Sequence, residues 1–530
     1  MGWRKWVLAG GATAVVAIVA AAVVVVWGGS SPDEPRAGGT ATADSGTVAA
    51  RFLAAFARGD ADAAGALTDA PREASVVLAD VRRGLAPAAV SAPLGQVRPG
   101  GARATATFHV TWTIAPGQEW TYDNTLDLVA SGGQWLVHWS PAVVHPRLRA
   151  GQLLAVRTRA GKNALVDRNG RPVLVWQAAG PPAGPGAGPV LTPALQRVVS
   201  GRGAGGWSVV STDAEGAVQE TLSGQGEVEV EPLTTTLSLP TQDAAQRAVD
   251  SAGVPAMLVA IQPSTGDLLA VAQNAAAGTD PKALNGLYAP GSTFKIATAA
   301  ALLESGAATA DTVADCPGTV RIGDRTIPND DQFALPPLPL HSAFAHSCNT
   351  TFAQLAAALP ADALASAASE FGLNADFTIP GITTEAGKVV ASTGEAEQVE
   401  SAIGQGTVQA SPFGLALMAA TVAHGGAVTP ELWQGMETQV NTGYRAPPGE
   451  VIAALRSMMR EVVTGGTATG LRGRGAVSGK TGTAQFGDGS QANGWFAGYR
   501  DDVAFSVLLL GSDSSKPAVE VSSVFLGALG

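Results

Sequence analysis

Pro290-Gly291-Ser292-Thr293-Phe294-Lys295 (PGSTFK) is the stretch on which the reading of the chain turns. Pro-Gly is a turn signal. The run from Ser292 to about Ser305 (STFKIATAAALLES) is rich in Ala and Leu, holds no Pro and stops at Gly306, which predicts a helix. Ser292 then stands at a helix N-terminus, with Lys295 one turn on. Residues i and i+3 share a helix face, so hydroxyl and amine point the same way. A serine hydroxyl is a weak nucleophile until a base takes its proton. A lysine kept neutral by burial or by neighbouring cations can be that base. Backbone N–H groups at the helix start suit a developing oxyanion. An N-capping serine followed by a solvated lysine gives the same pattern, so S-x-x-K alone decides nothing.

Two later stretches change its weight. Ser347-Cys348-Asn349 falls between a short predicted helix at about 341–345 and another beginning at Thr350. Its hydroxyl can relay a proton and its amide can hold a peptide carbonyl; a pair capping the next helix is the plainer reading. Lys480-Thr481-Gly482-Thr483 opens a predicted antiparallel meander continued by 493–500 and 503–510. Lys480 offers a positive charge, Thr481 and Thr483 offer hydroxyls for a carboxylate, and Gly482 suits a strand approached closely by another segment. An ordinary sheet edge with a solvated lysine is the alternative. Lysine is scarce (Lys5, Lys162, Lys282, Lys295, Lys388, Lys480, Lys516), yet two fall in these stretches. The order S-x-x-K, S-x-N, K-T-G is a known signature of penicillin-binding proteins and related β-lactamases.

Around these, 236–240 then 243–252 reads as strand then helix, and 256–262 with 267–272 as a strand hairpin. The region between the Ser292 helix and Lys480 reads as largely helical. Ser411-Pro412 reads as a cap and first-turn proline of a structural helix, and His346 and His424 as structural.

The amino end carries Arg4 and Lys5, then 7–27 (VLAGGATAVVAIVAAAVVVVW) without a charge. About 20 such residues match a bilayer core, and a cleaved signal has a shorter apolar region. A single-pass anchor is expected, with the following chain outside the membrane. Residues 30–46 form a polar linker. Residues 48–58 predict an amphipathic helix with Phe52, Leu53 and Phe56 on one face, followed by a second Ala-rich helix. Alternating runs at 104–114, 120–129 and 134–139 then predict a curved antiparallel sheet. His109 and His138 read as sheet-face residues.

The net charge of −11, over a chain of 46% hydrophobic and 15% charged residues without a Lys/Arg run, argues against a nucleic-acid partner. The histidines and Cys316 and Cys348 present no metal-ligand set, so neither metal nor cofactor is expected. The cysteines can form one disulfide in an oxidising compartment, and the sequence leaves that open.

Leu287–Lys295, Ser347–Phe352, Ile403–Pro412, Gly465–Ala468 and Lys480–Ala484 together resemble the transpeptidase domain of class B penicillin-binding proteins. Residues 47–145 are similar in pattern to the nuclear-transport-factor-two-like fold that precedes this domain in one branch of that family. Val166–Arg171 resembles its D-R-N-G pedestal segment, though Asn169-Gly170 is equally a simple hairpin turn. The expected architecture is α+β and multidomain. Residues 1–28 are a cytoplasmic tip and transmembrane anchor, 29–46 a linker, 47–145 a small cystatin-like α+β domain and 146–235 a connector. Residues 236–530 are expected to fold as a penicillin-binding/β-lactamase-like domain, an antiparallel sheet with flanking helices plus a helical subdomain.

The resemblance implies a serine D,D-transpeptidase of peptidoglycan cross-linking that β-lactams acylate. Ser292 would attack the carbonyl between the terminal D-alanines of a stem peptide, and Lys295 would take its proton. Ser347 and Lys480 would relay that proton to the leaving D-alanine. Asn349 would position the substrate, Thr481 and Thr483 would meet its carboxylate beside Gly482, and the N–H groups of Ser292 and Thr483 would hold the oxyanion. An amine of a second stem peptide would resolve the acyl-enzyme. Implied partners are peptidoglycan stem peptides, β-lactams, the membrane and other cell-wall synthesis proteins. No glycan-polymerising domain is read before residue 236. A β-lactam hydrolase or sensor, or a non-catalytic scaffold, are the competing readings.

Overall fold

The computed structural model describes residues 44–115, 118–158, 162–177, 181–184, 186–201, 207–224, 231–487 and 491–530. The apolar run read as an anchor lies outside the described residues, and among those described no helix is long and apolar enough to cross a membrane.

The amino-terminal unit follows its sequence pattern. The Ser45–Arg58 helix starts where Asp44 accepts from Thr47 N and ends at left-handed Gly59; these satisfy backbone groups that helix ends leave unpaired. It buries Val48, Phe52, Leu53 and Phe56. With the Pro71–Leu85 helix it shares a core with a five-stranded antiparallel sheet. The long strands Arg103–Ala115 and Gln118–Ser131 pair in this sheet, with Trp112 opposite Trp120. Phe56 meets Trp112 edge to face at 5.4 Å.

Residues 146–235, read as a connector, divide their apolar side chains between two cores. The strands Leu153–Thr158, Trp207–Thr212 and Val218–Gly224 form one sheet whose Leu154, Val209 and Leu222 join the amino-terminal core. Asn163–Val166, Pro172–Val175 and Leu233–Thr234 form another whose Leu165, Val173 and Leu174 join the carboxy-terminal core. The Asn169-Gly170 turn between its first two strands is fixed by Asp167, whose Oδ1 accepts from Asn169 N and Arg171 N.

The carboxy-terminal sheet runs Leu268–Gln273, Ala256–Ile261, Val503–Leu509, Gln491–Arg500, Ser478–Phe486, each pair antiparallel. The first two strands are buried along their whole length, as a sheet covered on both faces requires. The helices Leu239–Asp250, Pro412–His424 and Lys516–Ala528 pack against it.

Three expectations are corrected. Residues 236–240 are not a strand: Ser238 caps a helix, accepting from Thr241 N, and Leu239 and Pro240 form its first turn, where proline loses no hydrogen bond. The region between Ser292 and Lys480 is not purely helical, because Thr319–Ile322 pairs with Arg325–Pro328 and Val313–Cys316 with Leu335–Pro339. Strands of four or five residues stand at the short limit of the alternating signal. Finally, Ser292 is not the first residue of an α-helix. It lies in a 3-10 turn, Gly291–Phe294, that runs into the Lys295–Glu304 helix.

Candidate active site

The serine turn and the Lys480 strand meet because both carry glycine where they touch. A Cβ on Gly482 would stand 2.6 Å from Pro290 O, and one on Gly291 would stand 2.4 Å from Thr483 O. Gly291 also takes φ +54, a conformation costly for any residue with a side chain. Thr293 Oγ1 closes the turn by donating to Pro290 O at 2.7 Å. Ser292 is thereby presented to a cavity of about 440 Å³ that Ser347, Asn349, Thr481 and Thr483 also line.

Lys295 begins the helix behind Ser292, fully buried, with its Nζ 3.1 Å from Ser292 Oγ. The same nitrogen donates to Ser347 O at 2.8 Å and to Asn349 Oδ1 at 2.6 Å, and lies 3.4 Å from Ser347 Oγ. Desolvation holds this amine well below the usual lysine range, and the charge of Lys480 pushes it further down; Asp330 pulls the other way. Lys480 is also fully buried, and burial brings it down to about 7. It donates to Thr481 O at 3.0 Å. The two amines sit over neighbouring rings, Lys295 over Phe352 and Lys480 over Phe344, each 5.5 Å from the centroid. A ring face attracts a cation while offering no hydrogen bond, which leaves both lysines poorly solvated.

Ser347 adopts φ +63. This left-handed kink separates the helices Leu340–Ala345 and Asn349–Ala356. Asn349, read from sequence as part of the loop, is the first residue of the second helix, and its Nδ2 donates to Pro328 O at 2.9 Å. A disulfide joins Cys348 to Cys316, with Cα atoms 6.0 Å apart, and ties the kink to the Val313–Cys316 strand.

Of the eight positions singled out in sequence, Ser292, Ser347, Asn349, Thr481 and Thr483 line the cavity, and Lys295 is bonded to Ser292. Gly482 packs against Pro290 O, and Lys480 bonds Thr481 O and lies near enough to Lys295 for its charge to act there. Sequence reading missed others. Asp330, Asp331, Gln405 and Thr467 line the same cavity, as does exposed His346, a residue the sequence alone suggests is structural. Thr467 shares a hydrogen bond with Thr481 and lies in the Gly465–Ala468 segment already noted for its resemblance. Asp330 and Asp331 carry no sequence signal. Among the described residues no group of His, Cys, Asp and Glu could hold a metal ion.

A serine bonded to a poorly solvated amine, beside hydroxyls able to receive a carboxylate, is an arrangement for acyl transfer through a serine ester. The model of the penicillin-binding protein transpeptidase domain matches residues 256–523, just over half of the 530-residue chain, and the chain belongs to that family. The NTF2-like N-terminal transpeptidase domain matches residues 44–152. Among curated relatives, the peptidoglycan D,D-transpeptidase PbpA of Mycobacterium tuberculosis is 29% identical over 276 residues, covering 43% of this chain and 55% of that protein. The protein of the same name from Mycolicibacterium smegmatis is 32% identical over 231 residues, 39% of this chain and 45% of that one. The chain therefore spans about half the length of the curated relatives it matches. The fold is shared with Pseudomonas aeruginosa PBP2, at a TM-score of 0.56 and 23% identity over 70% of this chain and 96% of that one. It is shared also with penicillin-binding protein A of M. tuberculosis, solved as a penicillin G acyl-enzyme complex, at a TM-score of 0.56 and 22% identity over 70% and 100%.

Proposed function

We propose that the protein is a peptidoglycan D,D-transpeptidase that cross-links stem peptides through an acyl-enzyme on Ser292 and is acylated there by β-lactams. The observation that carries this reading is the 3.1 Å contact between Lys295 Nζ and Ser292 Oγ at a fully buried amine. Lys295, whose pKa burial and the Lys480 charge hold well below the usual lysine range, takes the serine proton as Oγ attacks the carbonyl between the two D-alanines. The N–H groups of Ser292 and Thr483 receive the oxyanion. Ser347 and Lys480 pass the proton on to the departing D-alanine. Thr481 and Thr483 hold its carboxylate, and Asn349 holds the donor backbone. An amine from a second stem peptide then takes the acyl group, forming the cross-link and freeing Ser292.

The activity for which the PbpA relatives are named and the acyl-enzyme structure of a family member support the same reading. The uncharged 7–27 run supports a single-pass anchor with the catalytic part outside the cell membrane, where stem peptides lie and where other cell-wall synthesis proteins would be met. Labelling the full chain with a fluorescent penicillin tests the proposal. A persistent adduct on Ser292, absent in Ser292→Ala, is expected. Rapid loss of the adduct in the wild type would favour β-lactam hydrolysis, and no adduct would favour a scaffold.

A further inference from the structure

The family signature leaves part of the cavity lining unassigned. That part includes the 3-10 turn Asp330–Gln332, which brings Asp330 and Asp331 to the cavity that Ser292 faces. The turn is held from behind. Asn329 is buried and its Nδ2 donates to Pro317 O at 2.9 Å and Phe333 O at 2.8 Å. Its Oδ1 accepts from Thr350 N at 3.1 Å, and Asn349 Nδ2 holds Pro328 O. The two residues before Asp330 are thus tied to the helix that carries Asn349, and Asn329 closes the turn over to Phe333. Asp330 is close enough to Lys295 that each charge favours the ionised form of the other, whereas burial and Asp331 work against ionisation of Asp330.

This matters for the second half-reaction. The acceptor is an amine, which reaches neutral water as an ammonium ion. The site it must enter already contains two lysines, and any positive charge on Lys295 or Lys480 repels it. Building on the transpeptidase reading above, we propose that Asp330 is the acceptor-binding residue. Its carboxylate draws a cationic amine into the cavity that Ser292 faces, and so favours transfer to the amine over hydrolysis by water. The balance is simple. The ammonium first gives one proton to water. The freed amine nitrogen then attacks the acyl carbon, a C–N bond forms, the ester C–O bond to Ser292 breaks, and the nitrogen's second proton returns to Ser292 Oγ.

The test uses the full chain with a D-alanyl thioester as donor. Transfer to an added amine and hydrolysis are measured as a ratio, which cancels any change in acylation because both products leave one acyl-enzyme. The acceptors are lysine, which is cationic, and hydroxylamine, which is neutral near pH 7. In Asp330→Asn the lysine transfer-to-hydrolysis ratio should fall about fivefold, the size of a partly exposed charge pair, while the hydroxylamine ratio holds. Asp330→Glu should keep the preference for lysine. Unchanged lysine ratios in an Asp330→Asn enzyme that still turns over the thioester would overturn the assignment alone. No thioester turnover in the wild type would overturn it together with the transpeptidase reading.

Discussion

The hydroxyls of Thr467 and Thr481 lie 2.6 Å apart, joined by a hydrogen bond. Thr481 comes from the Ser478–Phe486 strand, and Thr467 from the segment after the Gly449–Thr464 helix, where its N–H donates to Ala345 O at 3.1 Å. A hydroxyl has one proton to give. If Thr467 accepts it, Thr481 turns from the cavity; if Thr467 donates, Thr481 is free to give its proton to a substrate carboxylate. Thr467→Val keeps the shape and removes this control. Acylation by a carboxylate-bearing β-lactam should slow about fivefold, the worth of one hydrogen bond. Acylation by the methyl ester of the same compound should change far less, which a loss through misfolding would not reproduce. Stopped-flow acylation with the pair of compounds makes the comparison.

The two lysines set opposite limbs of a pH profile. Lys295 works as a base only when neutral, and desolvation with the nearby Lys480 charge lowers its pKa well below the usual value. Acylation should therefore rise with pH in a range far more acidic than free lysine. Lys480, brought down to about 7 by burial, loses its charge as pH rises through that value. If its charge serves substrate carboxylate and leaving group, the rate falls above about 7. Lys480→Arg cannot lose its charge, so the alkaline limb should disappear even where the overall rate is reduced. The acylation rate constant, followed from about pH 5 to about pH 9, checks both limbs.

Ser347 is held in a strained backbone conformation, φ +63, while its hydroxyl stands 3.4 Å from Lys295 Nζ. Glycine adopts that conformation without the Cβ clash. Ser347→Gly should raise the denaturant midpoint, with about 1 kcal/mol gained, and should keep the bond from Lys295 to the carbonyl of residue 347. Yet a proton relay through the hydroxyl is gone, and acylation should fall about a hundredfold. Stability up with activity down, read by urea titration and penicillin labelling on the same sample, is the expected signature.

Local chemistry made much of this site legible, and long-range packing hid the rest. Pro290-Gly291 and Gly306 bracket a helix through interactions within a few residues, so the turn and Lys295 could be placed from sequence. The same holds for Lys480–Thr483, whose strand is continued by an obvious meander. Asp330 could not be found that way. It faces the cavity because Asn329 reaches Pro317 and Thr350, distant partners that leave no local pattern. The division of residues 146–235 between two cores was hidden for a related reason. Leu154 and Leu165 look alike in sequence, and only the sheet each joins decides which core it fills.

The disulfide between Cys316 and Cys348 closes a stretch with a sequence separation of 32 and ends inside the Ser347–Asn349 kink. A loop of this size is worth about 2–4 kcal/mol to the folded state. Both sulfurs sit in a small apolar cluster with Ala343, so reduction leaves buried thiols rather than exposed ones. Cys316→Ser should lower stability by about that amount and slow acylation through the loosened placement of Ser347 and Asn349. Thermal unfolding with and without a reductant is the check, and the reductant should leave the Cys316→Ser variant unmoved.

Glu304 ends the Lys295–Glu304 helix and Glu370 caps the Ala363–Ser369 helix. Carboxylates at helix C-termini face the negative end of the dipole. Burial first, then the hydrogen bond and charge of Glu370, push Glu304 up to about 7. A carboxyl raised in the folded state contributes its stability fully below its ordinary range near 4.5 and loses it as pH rises through about 7. The contact between these helices should thus weaken on the alkaline side of neutrality. Glu304→Gln keeps the hydrogen bond without the charge. Its Tm should exceed that of the wild type by about 2 °C near pH 8, a modest figure because Glu304 is partly exposed to screening solvent. Near pH 5 the two proteins should melt together, and an equal gain at both pH values would show that charge at this pair is not the cause.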